Sequence, residues 1–405
     1  MREYYGNFDF DRTLRGGPSA LEGPGFTFIH EMSAHYLFAG EASDSLVLHS
    51  PLPADFLEYI EGKRLGLPNL TLHPAVKPDA VFTPFGWNTH AEARNRLYRS
   101  TSPHPSLEAI RSANSRQFSR SLEMQGGVGV KGDMGGLFDS LEALRNFLSR
   151  YPLPLGWVAK ANYGQAGTGN LRLLPGVFGE AESRAVEKLI LENRYISLEP
   201  WHERIIDLAV NFEVSPDGGV RHLRGHTLLN SRDGTFLGIS ISPAKSGRPP
   251  GPPEPWREGL ENQANKLASA LRNIGYFGPV GMDAYVWKSP EGPKLRPMVD
   301  VNARLSMAMQ AHGLARRLPD RHVRWEWMNP KKLHPEASYA ELEKRLAPHA
   351  FDPASGNGIL ITSPMRMLSR ARPRRLGVLF SGDGEEELIR LRAHFRNKLG
   401  KGFSP

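Results

Sequence analysis

The segment 280–302 contains two strand-forming runs joined by a turn, and this hairpin constrains the fold more than any other feature of the chain. The runs cover 280–288 and 295–302, and the turn between them reads Ser-Pro-Glu-Gly-Pro. Pairing about that turn places Asp283 opposite Asp300, with Cβ atoms about 4.5–5.5 Å apart. Asn302 lies two residues from Asp300 and therefore points to the same face of the sheet. The hairpin thus predicts three oxygen-bearing side chains on one surface.

Two carboxylates opposed across a sheet are unfavourable unless a cation compensates their charge. Mg²⁺ prefers oxygen ligands, and it usually takes one or two carboxylates and completes its shell with water and substrate phosphates. Asp283, Asp300 and Asn302 are therefore our candidate metal ligands. The alternative is a solvated polar face in a shifted register, which the spacing alone leaves open.

A lysine in another apolar strand precedes a glycine-rich loop. Lys160 follows Trp-Val-Ala, and Gly164, Gly167 and Gly169 follow within nine residues. Glycines let backbone amides approach phosphate oxygens, and a lysine adds a point charge. The segment matches neither the P-loop nor the dinucleotide-binding fingerprint, so an ordinary hairpin loop is the alternative.

The segment 195–214 predicts two strands with an acidic and aromatic connection. Glu199 and Trp201 end the first strand, and Asp207 lies at the start of the second. A purine needs an apolar slot with a backbone donor and acceptor, and a ribose needs a carboxylate to accept its hydroxyl protons. Two core strands and a surface turn would give the same pattern.

Composition excludes several classes of protein. The 405 residues include no cysteine, which excludes disulfide frameworks, thiolate zinc sites, iron–sulfur clusters and cysteine nucleophiles. No apolar run approaches the length of a membrane span, and the N-terminal sequence has no apolar signal core, so we expect a cytoplasmic protein. The formal net charge of +8 favours anionic partners such as nucleotides.

Together and in this order, the three segments resemble the ATP-grasp superfamily over roughly 115–315. The matching parts are a strand lysine before a glycine loop, an acidic hinge with an aromatic residue, and paired strands reading Gly-Met-Asp and Asp-Val-Asn at 281–283 and 300–302. The resemblance implies an α/β protein with an α+β ATP-grasp core. A parallel-sheet N-terminal domain would precede two subdomains that clasp a nucleotide.

The resemblance also implies a role for each candidate residue. ATP would be bound by Lys160, Gly164, Gly167, Gly169, Glu199, Trp201 and Asp207. One or two Mg²⁺ ions, with Mn²⁺ as an alternative, would be held by Asp283, Asp300 and Asn302. Arg304 matches an arginine near the carboxylate or acyl phosphate of carboxylate-amine ligases, and with Lys160 it is our catalytic candidate. His226 and Arg224 are further substrate candidates, although a structural histidine is the alternative for His226.

Three departures from the family pattern affect this interpretation. The second metal carboxylate is the shorter Asp300 where glutamate is usual. The upstream ATP lysine has two imperfect candidates, Lys131 and Arg116. Biotin carboxylases have a glutamate four residues after the equivalent of Arg304, where this chain has Ala308, and this argues against bicarbonate as a substrate.

The expected domains are an N-terminal α/β domain at 1–112, a helical and glycine-loop subdomain at 113–200, a subdomain with the metal site at 201–330, and a packed α/β extension at 331–405. Within these we predict a strand at 26–29, helices at 257–275 and about 385–396, and a surface position for His312. Strands are also expected at 358–362 and 376–380.

The implied function is an ATP-dependent ligase that activates a carboxylate as an acyl phosphate and joins it to an amine, releasing ADP and phosphate. The substrates would be small molecules, namely amino acids or peptides. We expect no membrane or nucleic-acid partner and leave a homodimer open. The alternatives are a small-molecule kinase of the same fold and a basic nucleotide- or RNA-binding protein with a degenerate site.

Overall fold

A computed structural model describes residues 1–17, 26–73, 80–97, 102–125, 134–165, 168–176, 178–231, 234–244, 254–330, 338–367 and 373–399. These residues form a parallel sheet, a small antiparallel sheet and a large antiparallel sheet, each with flanking helices. The predicted mixed α/β architecture is therefore confirmed.

The parallel sheet has four strands in the order β3-β2-β1-β4. They are β1 (Arg2–Tyr5), β2 (Ser45–Leu48), β3 (Asn69–Leu72) and β4 (Val81–Pro84), accompanied by α1 (Phe10–Leu14), α2 (Phe26–Ala34), α3 (Ala54–Glu61), α4 (Thr89–Leu97) and α5 (Leu107–Ala113). The strand expected at 26–29 is wrong, because these residues open helix α2. Ile29 and Met32 are both buried, three residues apart, as one face of a helix requires.

The small antiparallel sheet has the strand order β5-β8-β6-β7. Its strands are β5 (Gly136–Phe138), β6 (Trp157–Gln165), β7 (Thr168–Leu173) and β8 (Ile196–Pro200), and its helices are α6 (Arg116–Gln125), α7 (Leu141–Arg150) and α8 (Glu180–Asn193). A separate hydrophobic cluster that includes Leu144, Trp157 and Val186 holds the sheet against α7 and α8.

The large sheet has eight strands in the order β13-β12-β9-β10-β11-β14-β16-β15. They are β9 (Arg204–Val214), β10 (Val220–Asn230), β11 (Phe236–Ile241), β12 (Gly278–Ser289), β13 (Gly292–Asn302), β14 (His322–Met328), β15 (Gly358–Ile361) and β16 (Leu376–Gly382), with α9 (Arg257–Asn273), α10 (Ala308–Arg317), α11 (Tyr339–Leu346) and α12 (Glu385–Leu399). Helix α9 buries Leu260, Leu267 and Leu271 on one face, and Gly275 follows it with a positive φ of 77°, as a glycine at a helix end commonly has.

The C-terminal strands belong to this sheet, since β16 pairs with both β14 and β15. The predicted strands and the final helix of the tail are present, and the strands extend the main sheet. The domain boundaries themselves stay predictions.

Helix α10 packs directly against the N-terminal unit. Gln310 Oε1 accepts from the Phe38 amide at 2.8 Å, and Arg317 donates to the Gly40 carbonyl at 2.8 Å. A Cβ atom on Gly313 would lie 1.6 Å from the Phe38 carbonyl oxygen, so only glycine permits this approach. The contact fixes the parallel sheet beside the segment that follows Asn302.

Among the described residues, no helix combines the length and the apolar character needed to cross a bilayer.

Candidate functional site

The hairpin of β12 and β13 pairs its two carboxylates as predicted, although its register shifts between Asp283 and Tyr285. Asp283 pairs with Asp300, and Gly281 pairs with Asn302. Gly281 also lies opposite Asn211 of β9, where its missing Cβ avoids crowding the Asn211 amide, 3.2 Å from the position a Cβ would take. The two carboxylates therefore lie on neighbouring strands of one sheet face.

Burial and the neighbouring charge of Asp300 raise the pKa of Asp283 to about 7. Asp300 is bound at both oxygens by Arg116, with distances of 2.9 and 3.1 Å. The Asn302 Oδ1 atom accepts a hydrogen bond of 2.9 Å from Arg304. The carboxylate of Asp283 has no hydrogen-bond partner within the described ranges. The carboxylate whose negative charge is least favourable therefore has no compensating partner.

These three side chains fit a hard divalent cation in their donor chemistry. Opposed carboxylate oxygens with a carboxamide beside them match the ligands that Mg²⁺ prefers, and the raised pKa reflects a charge that such a cation would relieve. No group of three or more His, Asp or Glu side chains in the described part of the chain lies close enough to hold a metal alone. A cation here would need further oxygen ligands, such as phosphates.

Lys160 of β6 lies across the cleft from the hairpin and is buried. Its Nζ atom is 2.8 Å from Glu199 Oε2, and Arg296 NH1 is 3.3 Å from the same oxygen. Burial lowers the pKa of Lys160, and the charge of Glu199 opposes this shift. The positive charges of Lys160 and Arg296 hold the pKa of Glu199 well below its usual range, against the effect of burial. The Glu199 side chain therefore faces the protein interior. Only the backbone of Glu199 would be available for the predicted contact with adenine.

The described part of the glycine segment lies at the end of β6 and the start of β7. Gly164 lines a large cavity, called the main cavity below, and Gly169 lies in β7. Gly167 and the candidate upstream lysine, Lys131, lie outside the described residues.

The expected adenine and ribose residues, Trp201 and Asp207, both line the same cavity. The guanidinium of Arg172 lies over the Trp201 ring at 4.6 Å, which holds the indole in place. Arg204 donates to Asp207 at 2.9 Å. An indole and an oxygen acceptor thus lie near each other at the hinge end of the cavity.

The main cavity has a volume of about 900 Å³ and is lined by residues of the two antiparallel sheets and by residues of the N-terminal unit that lie outside its strands, such as Asp11 and Phe85. It is lined by the following sequence candidates: Lys160, Gly164, Trp201, Asp207, His226, Asp283, Asp300, Asn302 and Arg304. Arg224 lies instead in the wall of a second cavity, which shares Arg304 with the first. Glu199 is buried behind the wall.

His226 forms a buried pair with a histidine that was expected at the surface. His312 Nε2 lies 3.2 Å from His226 Nδ1, and His312 is only 3% exposed. The surface prediction for His312 is therefore wrong, because α10 packs this residue onto β10. Burial lowers the pKa of His226 to about 3. Burial, with a smaller contribution from the charge of His226, lowers the pKa of His312 well below its ordinary value.

No family model matches the sequence. Among solved structures, the fold is similar to N5-carboxyaminoimidazole ribonucleotide synthetase from Thermus thermophilus, with a TM-score of 0.52, 14% identity and 98% of each chain covered. It is also similar to biotin carboxylase from Campylobacter jejuni, with a TM-score of 0.54, 14% identity, and 89% of this chain and 87% of that chain covered. The chain has the fold of the ATP-grasp superfamily.

A curated protein is similar in sequence as well. The butirosin acyl-carrier protein–L-glutamate ligase of Niallia circulans is 24% identical over 306 residues, which cover 71% of this chain and 68% of that protein. Both kinds of comparison agree with the ATP-grasp resemblance that the three sequence segments carry.

The sequence did not reveal the polar network beneath the ATP-grasp cleft. Arg296 of β13 binds Glu123 of α6 at 2.8 and 3.1 Å, and Arg120 pairs with the same glutamate. Arg296 NH1 also donates to the Tyr285 hydroxyl at 3.1 Å, and His202 contacts that hydroxyl at 2.9 Å. The network anchors α6 and β8 to the hairpin, and the sequence signal for it is weak: Arg116, Arg120 and Glu123 recur at helical spacing.

Arg304 also has a partner that the sequence did not indicate. Asp11, which follows β1 in the N-terminal unit, accepts from Arg304 Nε at 2.9 Å. The guanidinium lies over the Phe85 ring at 4.8 Å. The N-terminal unit therefore orients Arg304, which lies two residues beyond the end of β13.

Proposed function

We propose that the protein is an ATP-dependent ligase that converts a carboxylate to an acyl phosphate and joins it to an amine, with ADP and phosphate as products. The observation that carries this proposal is the content of one cavity. It holds a buried lysine, two opposed carboxylates and an oriented arginine, namely Lys160, Asp283, Asp300 and Arg304.

In the first step, a carboxylate oxygen of the substrate attacks the γ-phosphorus of ATP, and the bond to the β-phosphate oxygen breaks. The protein contributes mainly position and compensating charge to such a transfer. Lys160 and the backbone at Gly164, which line the cavity, would bind the phosphates. Trp201 and Asp207 would bind the adenosine, and the fork of Arg304 would bind the substrate carboxylate.

Asp283, Asp300 and Asn302 would hold Mg²⁺ beneath the phosphates. When bound, this ion supplies charge neutralisation for the phosphate oxygens. In the second step, the amine attacks the acyl carbon and phosphate leaves. Neither step needs a covalent enzyme nucleophile, in agreement with a chain that contains no cysteine.

Of the two candidates for the upstream phosphate-binding cation, Arg116 is favoured by its place in the wall of the main cavity. Its guanidinium is buried between Asp300 and the Ala161 carbonyl, to which Nε donates at 2.9 Å. An arginine that already faces the metal carboxylate is close enough to reach a bound phosphate as well.

Amino acids or peptides are the substrate class that we propose. The curated relative is named for joining L-glutamate to an acyl-carrier protein, and an amino acid contains both reacting groups. Ala308 lies buried in the cavity wall where biotin carboxylases have a glutamate, which favours an organic acid over bicarbonate.

Hydroxylamine trapping tests the first step without knowledge of the amine. Each acid of an amino-acid and dipeptide panel is incubated with protein, Mg-ATP and hydroxylamine, and hydroxamate and ADP are measured. The expected result is stoichiometric hydroxamate and ADP with one class of acid, lost in the Asp283→Asn/Asp300→Asn double variant.

Other products would contradict the ligase. AMP release excludes an acyl phosphate mechanism. A phosphorylated product without hydroxamate indicates a kinase, and unchanged nucleotide binding by the double variant without any turnover indicates a binding protein.

A further inference from the structure

A second cavity of about 620 Å³ lies beside the main one. Its walls come from the parallel sheet, around Tyr4 and Thr83, and from the ends of β9, β10 and β12 in the large sheet. Asn211, Arg304 and Ser306 line both cavities, and Asn211 donates to the Ser306 hydroxyl at 3.0 Å. The arginine assigned to the substrate carboxylate therefore stands at the boundary between the two spaces.

The acidic groups of this second cavity already have partners. Glu213 lies 3.7 Å from Arg2, and Glu41 lies 2.6 Å from Arg316 Nε. Asp44 accepts from the backbone amides of Arg2 and Glu41 at 2.7 and 3.0 Å. The carboxylates of the wall are thus engaged without Arg224.

The arginine side chains that line the second cavity outnumber its carboxylates. Arg224 is half-buried and has no ion pair or hydrogen bond to any residue that the structure describes. The NH1 atom of Arg316 is buried and likewise lacks an acceptor among the described residues. Burial lowers the pKa of Arg224, and the nearby charge of Arg316 lowers it further, while Tyr4 and Glu41 partly oppose the shift. Two guanidinium groups that share a cavity wall with vacant donors favour an anion between them.

Strand register connects this pair to the reacting end. Arg224 pairs with Asn211, Asn211 with Gly281, and Gly281 with Asn302, whose side chain contacts Arg304. Three strand spacings separate the two ends of this row, about 14 Å between backbones. Long side chains on both ends shorten the gap to the length of a small molecule with a few carbon atoms.

We propose that the second cavity binds a second anionic group on the acid substrate, with Arg224 and Arg316 as its binding residues. The acid would then be a dianion with one carboxylate at Arg304 and a distal carboxylate or phosphate at Arg224. This substrate class rests on the proposed ligase function for the identity of the reacting carboxylate.

Equilibrium binding to the full chain in the presence of Mg-ADP tests the inference. Isothermal titration compares glutarate, butyrate and 3-phosphonopropionate as probes. Glutarate or the phosphonate is expected to bind at least tenfold more tightly than butyrate, and the tighter of the two identifies the distal group. Equal affinity of all three probes would overturn the proposal.

Variants locate the effect. Arg224→Gln is expected to weaken the dianion at least tenfold without changing the affinity for butyrate, and Arg224→Lys is expected to retain most of the dianion affinity. Arg221→Gln, on the same strand but with a side chain that is 61% exposed, is the matched control and leaves both affinities unchanged. An Arg224→Gln protein that keeps its fold by circular dichroism and its preference for the dianion would overturn the assignment.

This titration measures binding without turnover, so it tests the second anion site separately from the ligase proposal. Selective dianion binding without hydroxamate formation would contradict only the ligase. Hydroxamate formed from a simple monoacid, with no role for Arg224, would contradict only the second anion site.

Discussion

Arg116 holds both carboxylate oxygens of Asp300, with NH1–Oδ1 and NH2–Oδ2 distances of 2.9 and 3.1 Å. Arg116 begins helix α6, and its Nε atom also donates to the Ala161 carbonyl of β6. One guanidinium therefore joins the small sheet to the hairpin of β12 and β13. Because a divalent cation at the proposed site would use the same Asp300 oxygens, we expect Arg116 and Mg²⁺ to compete for this carboxylate.

Replacing Arg116 with glutamine separates its pairing with Asp300 from its proposed contact with phosphate. Loss of the competing positive charge is expected to raise the affinity of the nucleotide-free protein for Mg²⁺ about tenfold, or about 1.4 kcal/mol. The affinity for ATP is expected to fall at least as much, since Arg116 is the proposed upstream phosphate-binding cation. Isothermal titration measures both constants.

Arg116→Lys is the control, because it keeps the charge but not the fork. We expect it to show an intermediate Mg²⁺ affinity. A weaker affinity for Mg²⁺ in Arg116→Gln would contradict competition at Asp300.

Asp283→Asn is expected to stabilise the ligand-free protein while it abolishes hydroxamate formation. Burial and Asp300 raise the pKa of Asp283 to about 7, so at pH 8 the native side chain is charged beside a second carboxylate. Removing that charge should raise the free energy of unfolding by roughly 1–2 kcal/mol, after allowance for partial exposure. Urea denaturation at pH 8 measures the change.

The same substitution at exposed Asp320 is the control and should leave stability and turnover unchanged. A destabilised Asp283→Asn protein would show that the opposed carboxylates are compensated within the chain itself.

The face shared by Asp283, Asp300 and Asn302 could be predicted from sequence because the pleat fixes which side chains point the same way. The pairing of Asp283 with Asp300 was predicted from the turn alone, but the turn pairs Ser289 with Gly292, a ladder that would place Met298 opposite Asp283. A register shift between Asp283 and Tyr285, which the sequence did not indicate, restores the predicted pair. Composition and strand pattern likewise sufficed for the α/β class.

The buried network could not be predicted, since its members come from distant segments. Glu123, Glu199 and Arg296 lie on α6, β8 and β13, and nothing in the local sequence of any one of them specifies the others. The short apolar run at 26–29 shows a different limit. Four apolar or β-branched residues fit either a strand or one turn of a helix. The helix forms here because it buries Ile29 and Met32 on the same face.

Glu123→Gln is expected to cost about 3–5 kcal/mol of stability, because it removes the charge that compensates Arg120 and Arg296 in the interior. The midpoint of urea denaturation measures this loss. Glu180→Gln breaks an exposed pair with Arg184 of 3.3 Å and should cost no more than about 0.5 kcal/mol. Similar losses in the two variants would show that the buried network contributes no more than a surface ion pair.

The buried histidine pair predicts a loss of stability in acid. Burial lowers the pKa of His226 to about 3 from its ordinary value of 6.5, so between these values the unfolded chain binds a proton that the folded chain does not. Stability should therefore fall as the pH drops below 6.5, by up to about 1.4 kcal/mol per pH unit for each such histidine. In His226→Gln, the difference in the free energy of unfolding between pH 7 and pH 5 should shrink by up to about 2 kcal/mol.

His222→Asn is the control, because it alters an exposed histidine of the same strand at a positive φ of 54°, which asparagine tolerates. It should leave the difference in the free energy of unfolding between pH 7 and pH 5 unchanged. An equal pH dependence in the native and His226→Gln proteins would mean that the folded state accepts a proton at this pair.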